Sequence, residues 1–582
     1  MSLRYINSSL QQLAGELQKS YKQLPAPVVT ASTTLFVSYF VYKIFSSTNK
    51  RPKNLPPVVP YTVPFIGHGL TMNRDPAKFI QRCKEKYGPV FEIYSYGQKL
   101  TVITGKEVVD CFRMGDEYLD FQEGLKEMLP TAHIVTISYD KLKQPEGPDF
   151  PWSKHPFVHL VRNNLKSHQI GFFQNRIMDA TERGMNKDIT FLPGENSTTV
   201  DASVFFQTVV ARISAQVFAG EAYADNEPLI QALATFALSV FKASVVQATF
   251  PRTIADFITR RYMSVGKNID VIMREVVPHV VDIKQKEDQF GEMEPNDFMH
   301  MMLHTPAADD HAHTPEEAAF WLKDIALASI HTTSIYLGIA LHDLSDRPDI
   351  QNLLRKEMDE TRERVGTLTP EVVSQMPILD SFFRESLRIG SDYVGFRHKV
   401  MKETVLQSGI TLPEGSTIGL SVFDAHMDPE LQEIGPNGIP LSEFDPCRFV
   451  GRKSKKSTAV GPDLLIFGVG YHSCPGRYFA SVEIKYLLAS IIDRYDISAT
   501  TKDGKRAPNR LALVSTSPGR ETFEFVPPSD VSFLLCLFRE WSWWYLHSML
   551  GSPSELNTPY SKDNRCTIYL HNLFHKSKME RD

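Results

Sequence analysis

The residues most suited to chemistry lie late in the chain, in "FGVGYHSCPGRYFA", Phe467 to Ala480. Gly470 and Gly476 bracket Cys474, one of only six cysteines in 582 residues. Glycines allow a backbone to turn sharply or to approach a ligand closely. The following "RYFASVEIKYLLASII" has the pattern of a long helix, so Cys474 sits at or just before its N-terminus. Unpaired amides and the helix dipole there favour an anionic sulfur. His472 and Arg477 add donors and positive charge suited to an anionic cofactor edge. A catalytic nucleophile could use His472 as its base, although no third partner or oxyanion loop accompanies it. A structural zinc would need three more ligands in a spacing the sequence lacks. An axial thiolate to haem iron needs one cysteine and a flat backbone beside it. A plain buried thiol is the fourth reading.

A second cluster lies upstream, in "HTPEEAAFWLKDIALASIHTTSIYLGIALHDLSDRP". Thr314 and Glu317 form a capping box around Pro315. Nothing breaks the helical pattern before Pro348. The spacing therefore predicts one helix over 315–344, about 45 Å at 1.5 Å per residue. Its middle is apolar all round, which requires burial. That buried middle nevertheless carries Ser329, His331, Thr332 and Thr333. Back-bonding to the preceding turn satisfies a single threonine, but accounts poorly for four polar groups together.

The elements around these groups are mainly helical. "PAKFIQRCKEKYG", "ALATFALSVFKASVVQATF", "IQNLLRKEMDETRERVG" and "SVEIKYLLASIIDRY" all carry helix-spaced apolar residues. Short strand-like runs are confined to "VFEIYSY", "KLTVITG" and "TVLQSGITLPEGSTIGL". In the last, Ser408-Gly409 and Glu414-Gly415 supply turn residues for a hairpin. A mainly α fold with a minor β region follows. Net charge is −5, which gives no support for a nucleic-acid partner. The scattered cysteines form no C-x-x-C pair, so a reducing compartment with free thiols is expected.

Pro25 to Phe45, "PAPVVTASTTLFVSYFVYKIF", is broken by one charge, Lys43, and is long enough for a single transmembrane helix. Lys50, Arg51 and Lys53 put the positive excess after it, leaving residues 1–24 lumenal and the body cytosolic. Residues 46–60, with Pro52, Pro56, Pro57 and Pro60, read as a stiff proline-rich linker. The body spans 61–527. Residues 528–582 are an atypical extension whose Trp541, Trp543 and Trp544 suit a membrane interface. The last 30 or so residues are expected to be poorly ordered.

Phe467, Gly470, His472, Cys474 and Gly476 together fit F-x-x-G-x-[RH]-x-C-x-G, which resembles the haem-binding loop of the cytochrome P450 monooxygenases. With 36 Phe, 32 Gly and 6 Cys in 582 residues, the four fixed positions match by chance about 0.001 times per chain. "FFRESLR" supplies the family's E-x-x-R as Glu385 and Arg388, and "FDPCRF" supplies Arg448. These imply a buried Glu-Arg-Arg triad behind the haem. "ASIHTT" is similar to the stretch where the central helix bulges over the haem to admit oxygen. Thr332 falls on the family threonine that helps deliver protons, and His331 on the preceding acid position. Ser329 replaces the usual glycine, which bears on that bulge. Imidazole suits a proton relay near neutral pH. The resemblance further assigns Arg397 in "GFRHKV" and His472 to the haem propionates. The Trp-x-x-x-Arg element for the second propionate has no match, and His159 and Arg162 in "HLVRNNLKSH" are its stand-ins.

The resemblance implies the cytochrome P450 fold, haem b with Cys474 as axial iron ligand, and insertion of one oxygen atom from O2 into a C–H bond. The motifs look most like fungal terpenoid and steroid oxidases and sterol 14-demethylases, which implies an apolar isoprenoid substrate. The chain carries no flavin or nicotinamide fingerprint, so electrons are expected from an NADPH-cytochrome reductase, with cytochrome b5 as an accessory donor. The implied site is the endoplasmic reticulum membrane, in contact with lipid. Two rival readings remain: a haem-thiolate isomerase or dehydratase, which Thr332 argues against, and a non-catalytic haem-binding relative.

Overall fold

The computed structural model describes residues 52–61, 67–95, 97–142, 156–191, 198–291, 293, 297–306, 312–345, 347–499 and the short strands at 510–511, 516–517 and 522–526. The expected anchor over 25–45 and the extension over 528–582 lie outside these residues. Eight helices organise the site: α1 (Pro76–Tyr87), α2 (Ala202–Ser214), α3 (Glu227–Thr249), α4 (Val265–Phe290), α5 (Pro315–Leu344), α6 (Pro348–Val365), α7 (Pro377–Ile389) and α8 (Arg477–Arg494). α1 begins at Asp75, whose side chain caps the Lys78 amide, and stops at Gly88, where φ is 90°. Central α5 opens with the predicted capping box. Thr314 Oγ1 accepts from the Glu317 amide (3.2 Å), and Glu317 Oε2 accepts from the Thr314 amide (2.9 Å).

α5 is the spine of the main core. It packs against α2, α3, α7 and α8, and α3 packs against α4. α3 and α5 are long and apolar enough to cross a bilayer, yet most of each is buried in the fold, as core helices are. The chain of α5 runs on without a stop from 315 to 344 but changes pitch twice: a tight turn at Trp321 and one wide π-turn over Ala326–Ile330, before regular helix resumes at His331.

The minor β region is a five-stranded sheet of β1 (Val90–Ser95), β2 (Gln98–Ile103), β3 (Leu119–Asp120), β4 (Gly395–Val400) and β5 (Thr417–Leu420), in spatial order β1-β2-β5-β4-β3. β1 and β2 are antiparallel in the register Val90↔Ile103 to Ser95↔Gln98, and β2 pairs with β5 in parallel. Alternation sends Phe91, Ile93, Leu100 and Val102 toward α1, and Val90, Ile103, Ile418 and Leu420 toward a second core that includes Leu465. Gly409 (φ 79°) and Gly415 (φ 75°) both turn as their sequence suggests. Only the first closes a hairpin, Thr404–Val405 with Thr411–Leu412, because the residues after the second join the main sheet as β5.

The proline-rich linker does not stand clear of the body along its whole length. The Glu92 amide donates to Pro57 O (2.8 Å), the Val59 amide to Glu92 O (2.9 Å) and the Thr411 amide to Asn54 O (2.6 Å). Residues 57–59 thus run along the outer edge of β1, while Asn54 is tied to the 404–412 hairpin.

Candidate active site: the cysteine loop and the central helix

The loop before α8 is shaped by glycine. Gly468 (φ 68°) and Gly470 (φ 67°) adopt the left-handed backbone that other residues rarely accept. Their turns fold the chain back so that the Cys474 amide donates to Phe467 O (2.7 Å). Phe467 itself packs against the main core. A Cβ on Gly470 or Gly476 would meet nothing within 4 Å, so the loop presents bare backbone on that side. Gly476 is the residue before the first turn of α8. Burial holds the Cys474 thiol above its ordinary value, and the nearby Gly476 amide and the Arg477 guanidinium and amide offset this only in part. Amide groups and positive charge near a sulfur favour its thiolate over the thiol. These neighbours and the bare backbone fit a sulfur ligand to a flat cofactor, as the sequence leads one to expect of haem.

The triad that the resemblance implies does form. Glu385 and Arg388 stand one turn apart on α7, with Arg388 Nε donating to Glu385 Oε2 (2.8 Å) and Nη2 to Oε1 (2.9 Å). Arg448 Nε donates to Glu385 Oε1 (3.0 Å). All three side chains are wholly buried. Their remaining donors are satisfied by backbone: Arg388 by His426 O and Leu441 O, Arg448 by Ile439 O, Pro440 O and Glu443 O. A carboxylate shared by two guanidiniums, each also bonded to carbonyls, is what a buried charge requires.

Sequence reasoning missed the residue that joins this triad to the cysteine loop. His426 Nδ1 lies 3.2 Å from Arg388 O and 3.0 Å from Ser391 Oγ, and its Nε2 accepts from the Leu465 amide (2.9 Å). The proton is therefore on Nδ1. Leu465 O in turn accepts from the Gly468 amide (2.8 Å). Burial pushes the ring down to about 3, so it is neutral at physiological pH. A lone histidine in "FDAHMD" carries no motif that would have revealed this.

On α5 the π-turn forms with serine at 329, so the glycine of the usual pattern is not needed for it here. Ser329 Oγ donates to Ile325 O (2.7 Å), and Thr332 Oγ1 donates to Ala328 O (2.7 Å) and Ser329 O (3.3 Å). A wide turn loosens the regular carbonyl ladder, and the hydroxyls take up the loosened acceptors. Ala328 and Thr332, one turn apart, are exposed on a helix otherwise largely buried. Thr333 is buried. The His331 ring packs against Phe241 of α3, centroids 5.0 Å apart. Burial pushes its pKa down to about 4. The ring is thus neutral at pH 7 and can pass a proton only by accepting at one nitrogen and donating at the other.

The carboxylate-binding candidates divide. Arg397 follows Phe396, whose φ of 40° is the one left-handed non-glycine backbone among the described residues. Its Nη1 donates to Gln98 Oε1 (3.0 Å), in a cleft of about 340 Å³ lined also by Lys99, Glu127 and Thr417. Burial holds its guanidinium below the ordinary arginine value, and Glu127 partly offsets this. His472 Nε2 is paired with Asp116 (2.8 and 3.0 Å), so that pair must open before His472 meets another carboxylate. Arg162 does reach the loop: its Nη2 donates to Tyr471 O (2.7 Å) and its guanidinium stacks on the Tyr471 ring at 4.6 Å. His159 is exposed.

A family model for cytochrome P450 matches residues 56–524. The chain belongs to the cytochrome P450 family. It is an oxidoreductase of the monooxygenase type whose cofactor is haem b. It is 27% identical over 425 residues to cytochrome P450 monooxygenase BOA4 of Botryotinia fuckeliana, covering 66% of this chain and 83% of that one. It is 24% identical over 451 residues to the P450 monooxygenase CYP512U6 of Ganoderma lucidum, covering 74% and 82%. Among solved structures, retinoic-acid-bound cyanobacterial CYP120A1 superposes with a TM-score of 0.60 at 16% identity, covering 82% of this chain and all of that one. The P450 fold expected from the motifs is the fold observed.

Proposed function

We propose that this P450 hydroxylates an apolar, polycyclic isoprenoid in fungal secondary metabolism, drawing electrons from a membrane-bound NADPH-cytochrome reductase. Cytochrome b5 is an accessory donor. Residues 25–45 anchor the enzyme once in the endoplasmic reticulum membrane, with the catalytic domain facing the cytosol. Cys474 is the axial ligand of the haem iron. The single observation that carries this assignment is the shape of the loop: the Cys474 amide is folded back onto Phe467 O (2.7 Å), and Gly470 and Gly476 leave bare backbone on either side of the cysteine at the start of α8.

The residues act in distinct ways. Gly470 and Gly476 keep side chains off the face of the loop, and Phe467 ties the loop to the core. Arg397 and, once freed from Asp116, His472 bind the propionates, with Arg162 bracing the loop through Tyr471. The Glu385–Arg388–Arg448 triad holds the loop's approach through His426. Thr332 and neutral His331 pass the protons. Haem b, when bound, supplies the electron-transfer and oxygen chemistry, which the thiolate promotes by its push of electron density. The apolar face of α3 that carries Phe241 beside His331 forms one wall for the substrate and favours a hydrocarbon skeleton.

The test is the optical spectrum of the reduced protein under carbon monoxide. Wild type is expected to give the thiolate-type Soret shift and Cys474→Ala to lose it. An unchanged shift in Cys474→Ala would sink the assignment. Oxygenated product that depends on NADPH and reductase separates the monooxygenase from a peroxide isomerase. Spin-state shifts across a panel of terpenoids, steroids and fatty acids then test the substrate class.

A further inference from the structure

Outside the haem region, one cluster brings three ligand-type atoms to a single point. Glu287, near the C-terminus of α4, accepts at Oε1 from His300 Nε2 (2.7 Å) and from His304 Nε2 (2.8 Å). The ligand atoms all lie within 4.8 Å of one another. His300 and His304 are spaced i, i+4 in "HMMLH", on one face of the short helix Phe298–Leu303 and its C-cap. Their rings are tilted 43° with centroids 5.3 Å apart.

The setting is built rather than loose. The Asp297 side chain accepts from the His300 amide (2.8 Å) and sits 2.8 Å from His279 Nε2, which pins the start of the ligand-bearing helix to α4. Phe298 packs against Phe218 (5.0 Å), and Phe218 against Phe479 on α8 (5.3 Å). His300 is buried, whereas 41% of the His304 side chain is exposed, which gives an ion a way in.

We propose that Glu287, His300 and His304 bind a divalent transition-metal ion, with water completing the coordination. Two imidazoles and one carboxylate are borderline ligands that suit zinc or copper and disfavour magnesium and calcium. Metal–ligand bonds of about 2.0–2.2 Å in a tetrahedral site put ligand atoms roughly 3.4 Å apart. The two hydrogen-bonded contacts need to open by only about 0.6 Å to reach that spacing. Each ring then carries its proton on Nδ1 and offers Nε2 as a lone pair. The bound ion fastens the end of α4 to the following helix, and so acts as a clamp on the fold rather than in the oxygen chemistry.

The test uses the untagged, haem-loaded full chain, stripped with chelator and dialysed against zinc chloride. Wild type is expected to retain one zinc per chain by elemental analysis, with an unfolding midpoint raised by zinc. His304→Ala, a change at a half-exposed position, is expected to keep the Soret spectrum and the zinc-free midpoint while binding zinc at least about tenfold more weakly. Glu287→Gln should weaken it similarly, and exposed His168→Ala should not. The proposal is overturned if wild type retains no stoichiometric zinc, if His304→Ala binds it as tightly as wild type, or if His168→Ala is the variant that loses it.

Discussion

The two sides of the site are held together by different physics. Behind the cysteine loop, position is set by charge: Glu385, Arg388 and Arg448 are wholly buried, and each polar group is matched by a partner or a backbone carbonyl. Along α5, position is set by apolar packing, and the polar groups there bond only weakly beyond their own helix. Ser329 and Thr332 spend their hydroxyls on carbonyls one turn back. The first arrangement admits one geometry and is costly to disturb. The second tolerates a wide turn, exposed Ala328 and Thr332, and a histidine held neutral. A ligand to a metal must not move, whereas a proton route must be able to rearrange.

That contrast can be broken by substitution, and stability is the natural scale. Glu385→Gln leaves two buried guanidiniums without their anion and should cost about 3–5 kcal/mol, seen as loss of haem retention and early denaturant unfolding. Glu483 on α8 is the control, because it too is wholly buried, yet its oxygens have no hydrogen-bond partner among the described residues. Burial pushes its carboxyl well above the ordinary glutamate value, and it has no ion pair to lose among the described residues. Glu483→Gln should therefore change the unfolding midpoint little. Equal losses in the two variants would refute the claim that charge pairing is what matters at 385.

His426→Leu comes next. It strands the buried Leu465 amide and should cost about 1–3 kcal/mol. The same variant tests the sign of a pH effect. An unfolded histidine takes up a proton near pH 6.5, whereas native His426 resists it down to about 3. Stability is therefore lost as pH falls through that window, with His331 and His398, both held at about 4, adding to the slope above pH 4. Thermal melts from pH 7 to 5 should show a shallower slope in His426→Leu, by up to one proton.

Ser329→Gly should lower stability by about 0.5 kcal/mol, from helix propensity alone, with product formation retained. A large loss of product would mean that the serine hydroxyl does more than bond Ile325. Thr332→Ala is expected to have the smallest stability effect, within about 0.5 kcal/mol. Its signature is kinetic: NADPH consumption continues while product per NADPH falls.

How much of this the sequence disclosed follows the same divide. Contacts within one helical turn were legible: the Thr314–Glu317 box, Glu385 with Arg388, and the N-terminal placement of Cys474 all follow from spacing. Helices α1, α3, α5, α6 and α8 and the strands β1 and β2, though not their pairing, were legible from periodicity and capping signals. What escaped was set by tertiary proximity. His426 lies 39 residues before Leu465, and the Asp116–His472 pair spans 356 positions. The second glycine turn was read correctly but assigned to the wrong partner, because β5 finds a better-buried place between β2 and β4. Histidine at 331 read as a neutral-pH relay, since spacing says nothing of the desolvation that depresses it.

The docking of residues 57–59 on β1 has a practical corollary for anyone trimming the N-terminus to obtain soluble material. A cut at residue 60 would strip Pro57 and Val59 from Glu92, leaving bare peptide groups ready to recruit a strand from another molecule. Truncations that begin before Asn54 keep that rim sheathed, and should stay monomeric where the shorter ones precipitate.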